Sequence, residues 1–368
     1  MTRGLAARLS GKRVVICAGA GGVGKTTVSA TVAIGLAARG SRVAVVTIDP
    51  ARRLAEALGL DELGNEPQLV DVAGFEASGL EFRGELSAMM LDPKRTLDEL
   101  IEQLTPDVRT REAILANPVY DHLSKAVGGS QEYSAVAKLF ELEQRGDHEV
   151  IVLDTPPSRS AIDFLDAPQR LTGFLEGRAL GALLRPTGPL ARAAGVVVSA
   201  LRRITGGGLL EDLTAFFQLF SGLLEGFEAR AAGVERLLTD PATAFLVVTS
   251  TERAPLEEAI HFAGELERAG MRRAGVIVNR VHALDPTERD TVATMSRLTA
   301  ALGLPLARKV ARTHADVQLL ARRDEASLGL LRAALQDPDP FWLADRPSEI
   351  RDISGLVALY GELFGGMR

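Results

Sequence analysis

Short, unbroken apolar runs alternate along the chain with longer stretches whose apolar residues recur every three to four positions. The first run, Arg13-Val-Val-Ile-Cys-Ala18, is bounded by Lys12 and Gly19 and predicts a buried parallel strand. Gly19-Ala-Gly-Gly-Val-Gly-Lys-Thr-Thr27 follows. A helical pattern then runs to about Ala38, stops at Gly40, and gives way to a second apolar run, Arg42 to Ile48, that ends at Asp49-Pro50. Strand, glycine loop, helix and strand in this order predict the βαβ unit of a doubly wound sheet.

Four later runs have the same character: Leu86 to Leu91, Val150 to Asp154, Ala244 to Thr249 and Ala274 to Asn279. A weaker run, Leu304 to Val310, is expected to supply a last strand, and Leu356 to Phe364 a closing helix. Helical patterns intervene, as a parallel sheet requires. Two segments interrupt the alternation, at about 93–145 and 158–238, with the Val150 to Asp154 strand between them. The second carries Leu213, Phe217, Phe220, Leu224 and Phe227 on one helical face, together with loose stretches at Arg185 to Pro189 and Gly206 to Gly208. The face predicts either a packed helix or a groove for a hydrophobic partner.

Composition narrows the functional classes. The chain has 368 residues, 46% of them hydrophobic and 24% charged, which is enough to build a large folded core. Its net charge of −6 disfavours sequence-independent binding to nucleic acid, whose affinity comes mainly from neutralising phosphates. The single cysteine, Cys17, excludes disulfide frameworks and paired-thiol metal sites, and is expected to be a buried structural thiol. The N-terminus has no apolar signal core and no run is long enough to cross a membrane, so a cytoplasmic protein is expected. The five histidines show no metal-ligand spacing. Arg52-Arg53, Arg202-Arg203, Arg272-Arg273 and Arg322-Arg323 are scattered pairs, expected on solvated surface.

The chemistry concentrates in Gly19-x-x-x-x-Gly24-Lys25-Thr26, a phosphate-loop pattern placed after a predicted strand and before a predicted helix. Glycines at 19, 21, 22 and 24 let backbone N–H groups, that of Val23 included, converge on phosphate oxygens at the positive end of the helix. Lys25 is expected to reach the β- and γ-phosphates, and the Thr26 hydroxyl to ligate Mg²⁺. Asp154 ends an apolar strand, as a carboxylate that holds the Mg²⁺ hydration shell does; its alternative is an ordinary helix cap. Asp49 also ends a strand at the ligand crevice, where it either orients and deprotonates an attacking water or caps a helix starting at Pro50.

Gly21-Gly-Val-Gly-Lys-Thr-Thr27, Thr47-Ile-Asp-Pro-Ala51, Leu153-Asp-Thr-Pro-Pro157 and Val278-Asn279-Arg280 stand in the order found in the ArsA and Get-type ATPases, which the chain resembles over residues about 12–364. These belong to the deviant-Walker group of phosphate-loop ATPases. Leu91-Asp-Pro-Lys94 and Gly129-Ser-Gln-Glu-Tyr133 resemble the bacterial branch of the ArsA type. The resemblance implies an α/β, doubly wound, mostly parallel ATPase core at residues 1–92, 146–157 and 239–368, with a helical insertion split between 93–145 and 158–238. It further implies that Thr27 contacts phosphate, that Asp49 is a switch I aspartate activating water, that Asp154 opens switch II, and that Asn279 reads adenine. Members of this group are cytosolic dimers with a nucleotide at or near the interface in each subunit, and in the Get type ATP-driven closure forms a hydrophobic groove from the insertions.

Three departures stand out. Ala20 occupies the position, directly before Gly-Gly, where the family has a lysine that contacts phosphate across the dimer. The zinc-binding cysteine pair of eukaryotic Get-type dimers cannot be built from Cys17 alone. Nor can the cysteine triad that binds arsenite in ArsA, which argues against metalloid transport. The leading expectation is an Mg²⁺-dependent ATPase that controls a client-binding subdomain. The alternatives are a low-turnover nucleotide-binding scaffold paired with a lysine-bearing paralogue, or a ParA-like partition ATPase, which the acidic charge disfavours. Ala311 to Asp316 is expected to form the loop that closes over adenine.

Overall fold

The computed structural model describes residues 4–49, 52–121, 130–156, 216, 219, 221–283, 291–337 and 339–365. After a short helix α1 (Leu5–Leu9), the alternation unfolds as β1 (Val14–Ala18), α2 (Lys25–Ala38), β2 (Arg42–Thr47), α3 (Arg53–Leu58), β3 (Gln68–Leu69), α4 (Ala73–Ala77) and β4 (Glu85–Met90). Helices α5 (Pro93–Leu104), α6 (Val108–Leu115) and α7 (Ser130–Arg145) precede β5 (Val150–Asp154), and α8 (Leu224–Thr239) leads into β6 (Thr243–Ser250). The chain ends with α9 (Arg253–Arg268), β7 (Arg273–Val281), α10 (Thr291–Leu302), α11 (Leu304–Leu335), β8 (Phe341–Ala344) and α12 (Ile353–Phe364).

The strands form one sheet in the order β3-β4-β2-β5-β1-β6-β7-β8, parallel throughout except for the two-residue edge strand β3. Strands β2 to β5 lie to one side of β1 and β6 to β8 to the other, so β1 sits where the chain's winding reverses, the ligand crevice of such sheets. Alternate residues feed two cores. Val15, Cys17, Val43 and Val152 pack under α2 and α12, whereas Val14, Ile16, Ile151 and Val247 pack under α7, α8, α9 and α11. Burial on both faces explains why the strands read as continuous apolar runs. Burial also pushes the Cys17 thiol up to about 12, so it stays protonated at neutral pH.

A third cluster, with Leu97, Leu100, Ile114, Tyr133 and Phe227 at its centre, packs α5, α6, α7 and α8 together. Of the apolar face at 213–227, Phe227 is buried in this cluster beside Tyr133; Leu213, Phe217, Phe220, the Leu224 side chain and the loose stretches at 185–189 and 206–208 lie outside the described residues. The fully buried ammonium of Lys138 on α7 ties α7 to α5 and to the loop before β3, with Glu66, Glu99 and Glu141 at 2.9, 3.3 and 3.2 Å. None of the described helices is long and apolar enough to cross a membrane.

Several expectations are corrected. Leu304 to Val310 is not a strand but the first two turns of α11, opened by Pro305 in its first turn, where a missing N–H costs nothing. Ala311 to Asp316 lies within the same helix and closes over nothing as a loop. The last strand is instead β8, which pairs Val281 with Ala344. Helix α3 begins at Arg53, after Arg52 in a left-handed conformation, and the expected helix start at Pro50 lies outside the described residues. The arginine pairs lie mostly on solvated surface as expected; only Arg273, about a quarter exposed, is partly buried, facing Asp337, while Arg202 and Arg203 lie outside the described residues.

Candidate active site

In-register pairing sets Cys17 of β1 and Thr47 of β2 on either side of Asp154 of β5, so the carboxyl ends of three central strands open together. From β1 the chain turns through Gly19, where a Cβ would stand 1.9 Å from the Val248 carbonyl oxygen, a contact only glycine permits. It then passes Gly22 and Gly24, both left-handed at φ 78° and 91°, and enters α2 at Lys25. The N–H groups of the first turn of α2 have no carbonyl within the helix and carry its positive end.

These turns border a cleft of about 1000 Å³ lined by Gly22, Gly24, Lys25, Thr26, Thr27, Asp49, Arg53, Thr155, Asn279 and Arg280 on one side. The segment from Asp345 to Arg351, between β8 and α12, lines the other. The Lys25 ammonium is buried and donates to the Ala20 carbonyl at 2.8 Å. Burial pulls its pKa down, against the charges of Asp154, Glu258 and Asp49, which favour the ammonium. A buried cation resting on one backbone carbonyl is poised for a stronger anionic partner.

Asp154, 1% exposed, accepts from the Thr26 hydroxyl at 2.7 Å and the Thr47 hydroxyl at 2.9 Å through Oδ2, and from Ser29 at 3.4 Å through Oδ1. Burial raises its pKa to about 6, because the hydroxyls and Lys25 only partly offset the lost hydration. The donors at this point are hard oxygens, a hydroxyl and one carboxylate, which suits Mg²⁺ with its remaining positions filled by phosphate and water. No group of three or more His, Cys, Asp or Glu that could hold a metal occurs among the described residues. Asn279, at the end of β7, lies over the loop: its Nδ2 donates to the Val23 carbonyl at 2.9 Å and its Oδ1 accepts the Arg280 N–H at 2.9 Å. Asp49 faces the same cleft, with an Arg53 guanidinium nitrogen 3.8 Å from its carboxylate.

Lys25, Thr26, Thr27, Asp49 and Asn279, predicted from four separate stretches with Asp154, thus meet around one cleft, and Asp154 bonds to Thr26 at its floor. The wall from Asp345 to Arg351 went unread. Its signal was weak: a four-residue strand, then Asp345-Arg-Pro-Ser-Glu349, a polar turn with no spacing rule.

The family model for the anion-transporting ATPase matches residues 12–300. The chain belongs to the anion-transporting ATPase family. Its reaction class follows: the chain is an ATP hydrolase. It is 29% identical over 268 residues to ATPase GET3 of Malassezia globosa, covering 73% of this chain and 72% of that one. It is 28% identical over 273 residues to ATPase get3 of Schizosaccharomyces pombe, with 74% of each chain covered. A protein of Aquifex aeolicus named as an arsenical pump-driving ATPase is 25% identical over 282 residues, 73% of this chain and 63% of the other.

Proposed function

We propose that the cleft binds ATP with Mg²⁺ and hydrolyses it by attack of water on the γ-phosphate, in a cytoplasmic, bacterial-type member of the family. The observation that carries this reading is the buried Lys25 ammonium beside the Thr26–Asp154 pair at the N-terminus of α2. Backbone N–H groups from Gly19 to Gly24 and the Thr27 hydroxyl take the phosphate oxygens, and Lys25 leaves the Ala20 carbonyl for the β- and γ-phosphates. Thr26 and Asp154 would hold Mg²⁺, which would supply positive charge to neutralise the phosphates. Asn279 spends one amide hydrogen on Val23 and keeps the other for an acceptor on adenine. Asp49 accepts hydrogen bonds from water and holds it for attack. Little covalent work falls to the protein, whose contribution is position and positive charge.

By analogy with its relatives, the protein works as a dimer, with itself or a lysine-bearing paralogue. Closure on ATP controls the helical insertion and its hydrophobic client. Ala20 favours a second reading, a scaffold that binds nucleotide and turns over little, because no side-chain cation extends from that position. Wild-type turnover separates the two, and in a hydrolase Asp49→Asn leaves ATP affinity within about twofold and cuts turnover about 100-fold, since an amide cannot accept the proton. Unchanged turnover in that variant removes Asp49 from the mechanism, and negligible turnover in the wild type favours the scaffold.

A further inference from the structure

Three residues from separate segments join behind the wall of the cleft. Asp324 on α11 is fully buried, and its Oδ2 accepts both the backbone N–H of His282 at 2.9 Å and the His282 ring Nδ1 at 2.8 Å. Its Oδ1 accepts two guanidinium hydrogen bonds from Arg323, at 3.1 and 2.9 Å. Burial pushes this carboxyl up, but the bonds from His282, Arg323 and Thr251 together hold it below the usual range, so Asp324 is a fixed anion. Asp324 thus holds the Nδ1 edge of the His282 ring and leaves Nε2 on the side of Asp345. That nitrogen lies 3.6 Å from Asp345 Oδ2, and the Asp345 N–H bonds to the Val281 carbonyl at 2.9 Å. His282 therefore stands three residues after Asn279 and against the residue that opens the Asp345 to Arg351 wall.

We propose that His282, seated on Asp324, is a positioning residue that sets this wall against the base of the bound nucleotide and so governs base-dependent affinity without touching the phosphates. The arrangement has the form of an enzyme's supporting shell: a buried carboxylate fixes a histidine at the end of β7, and the same strand end holds the loop through the Asp345 N–H on the Val281 carbonyl. The ordinary alternative is a strand-end clasp that holds β7 to α11 and contributes only to stability. The two differ in what they do to ligands with and without a base.

This inference rests on the nucleotide reading of the cleft, and the test separates the two. Calorimetry compares ATP with inorganic tripolyphosphate, which carries the phosphates but no base, on wild type, His282→Ala and His282→Asn. Asparagine places an amide donor near the position of Nδ1 and keeps the bond to Asp324. His282→Ala is expected to weaken ATP binding about fivefold to tenfold, the scale of one lost charge-assisted hydrogen bond, and to leave tripolyphosphate binding within about twofold. His282→Asn recovers most of the loss, and in turnover the change falls on KM rather than kcat. Equal losses for both ligands, no loss for ATP, or an asparagine variant no better than alanine overturns the positioning role. Wild-type protein that binds neither ligand overturns the nucleotide reading and this inference with it.

Discussion

Burial of the Asp154 carboxyl carries an electrostatic cost. The group's pKa, ordinarily near 3.8, is raised to about 6 by burial. Between those values the native carboxyl keeps a proton that the unfolded chain has lost. Its contribution to stability is therefore complete below about pH 3.8 and lost as pH rises through about 6. Asp154→Asn removes the buried charge and still accepts hydrogen bonds from Thr26 and Thr47. At pH 7.5 without nucleotide it is expected to be more stable than wild type by up to about 3 kcal/mol, with the difference vanishing toward pH 4. Thermal melts of both proteins across that range check this; an Asp154→Asn protein less stable than wild type at pH 7.5 contradicts it. At this scale the phosphate loop was legible because eight consecutive residues carry it. Asp324, His282 and Asp345 were not, since tertiary contact between three distant segments leaves no spacing to read.

The strands were readable as elements because each is buried on both faces and needs apolar residues without interruption. Leu304 to Val310 misled for a local reason: Leu304 and Leu306 flank Pro305 and mimic alternation, whereas the proline opens a helix. Strand β8 escaped because four residues beside a proline-bearing turn give too short a pattern. The glycines of the loop after β1 differ in what they protect. At Gly19 a Cβ meets the Val248 carbonyl, whereas at Gly22 nothing lies within 4 Å and only the φ of 78° is at stake. Gly19→Ala is expected to cost at least about 2 kcal/mol, because the backbone of β6 must shift, and Gly22→Ala about 1 kcal/mol. Urea unfolding of both variants distinguishes them, and equal losses would mean that the β1–β6 approach does not constrain the loop.

For the whole molecule, a central sheet with an apolar core on each face was foreseeable from the alternation of runs, whereas assembly leaves no trace in one chain's periodicity. Ala20 links assembly to chemistry. Its carbonyl already holds the resting Lys25 ammonium at 2.8 Å. A lysine there adds a cation toward developing phosphate charge, in its own site or its partner's. Ala20→Lys is expected to raise turnover about tenfold, which asks about 1.4 kcal/mol of one charge. Light scattering with and without ATP and Mg²⁺ is expected to give a dimer mass. A nucleotide-bound dimer whose rate does not respond to Ala20→Lys means that hydrolysis is organised without that cation.

ATP cleavage at this phosphate loop is tested most directly by phosphate release from ATP, with and without Mg²⁺, by wild type beside Lys25→Ala of matched circular dichroism. Wild type is expected to release phosphate only with Mg²⁺. Lys25→Ala should fall by at least about 100-fold, the loss typical of one preorganised charge or donor at developing phosphate charge. Release by Lys25→Ala at the wild-type rate would place the reaction elsewhere and contradict the assignment of this cleft.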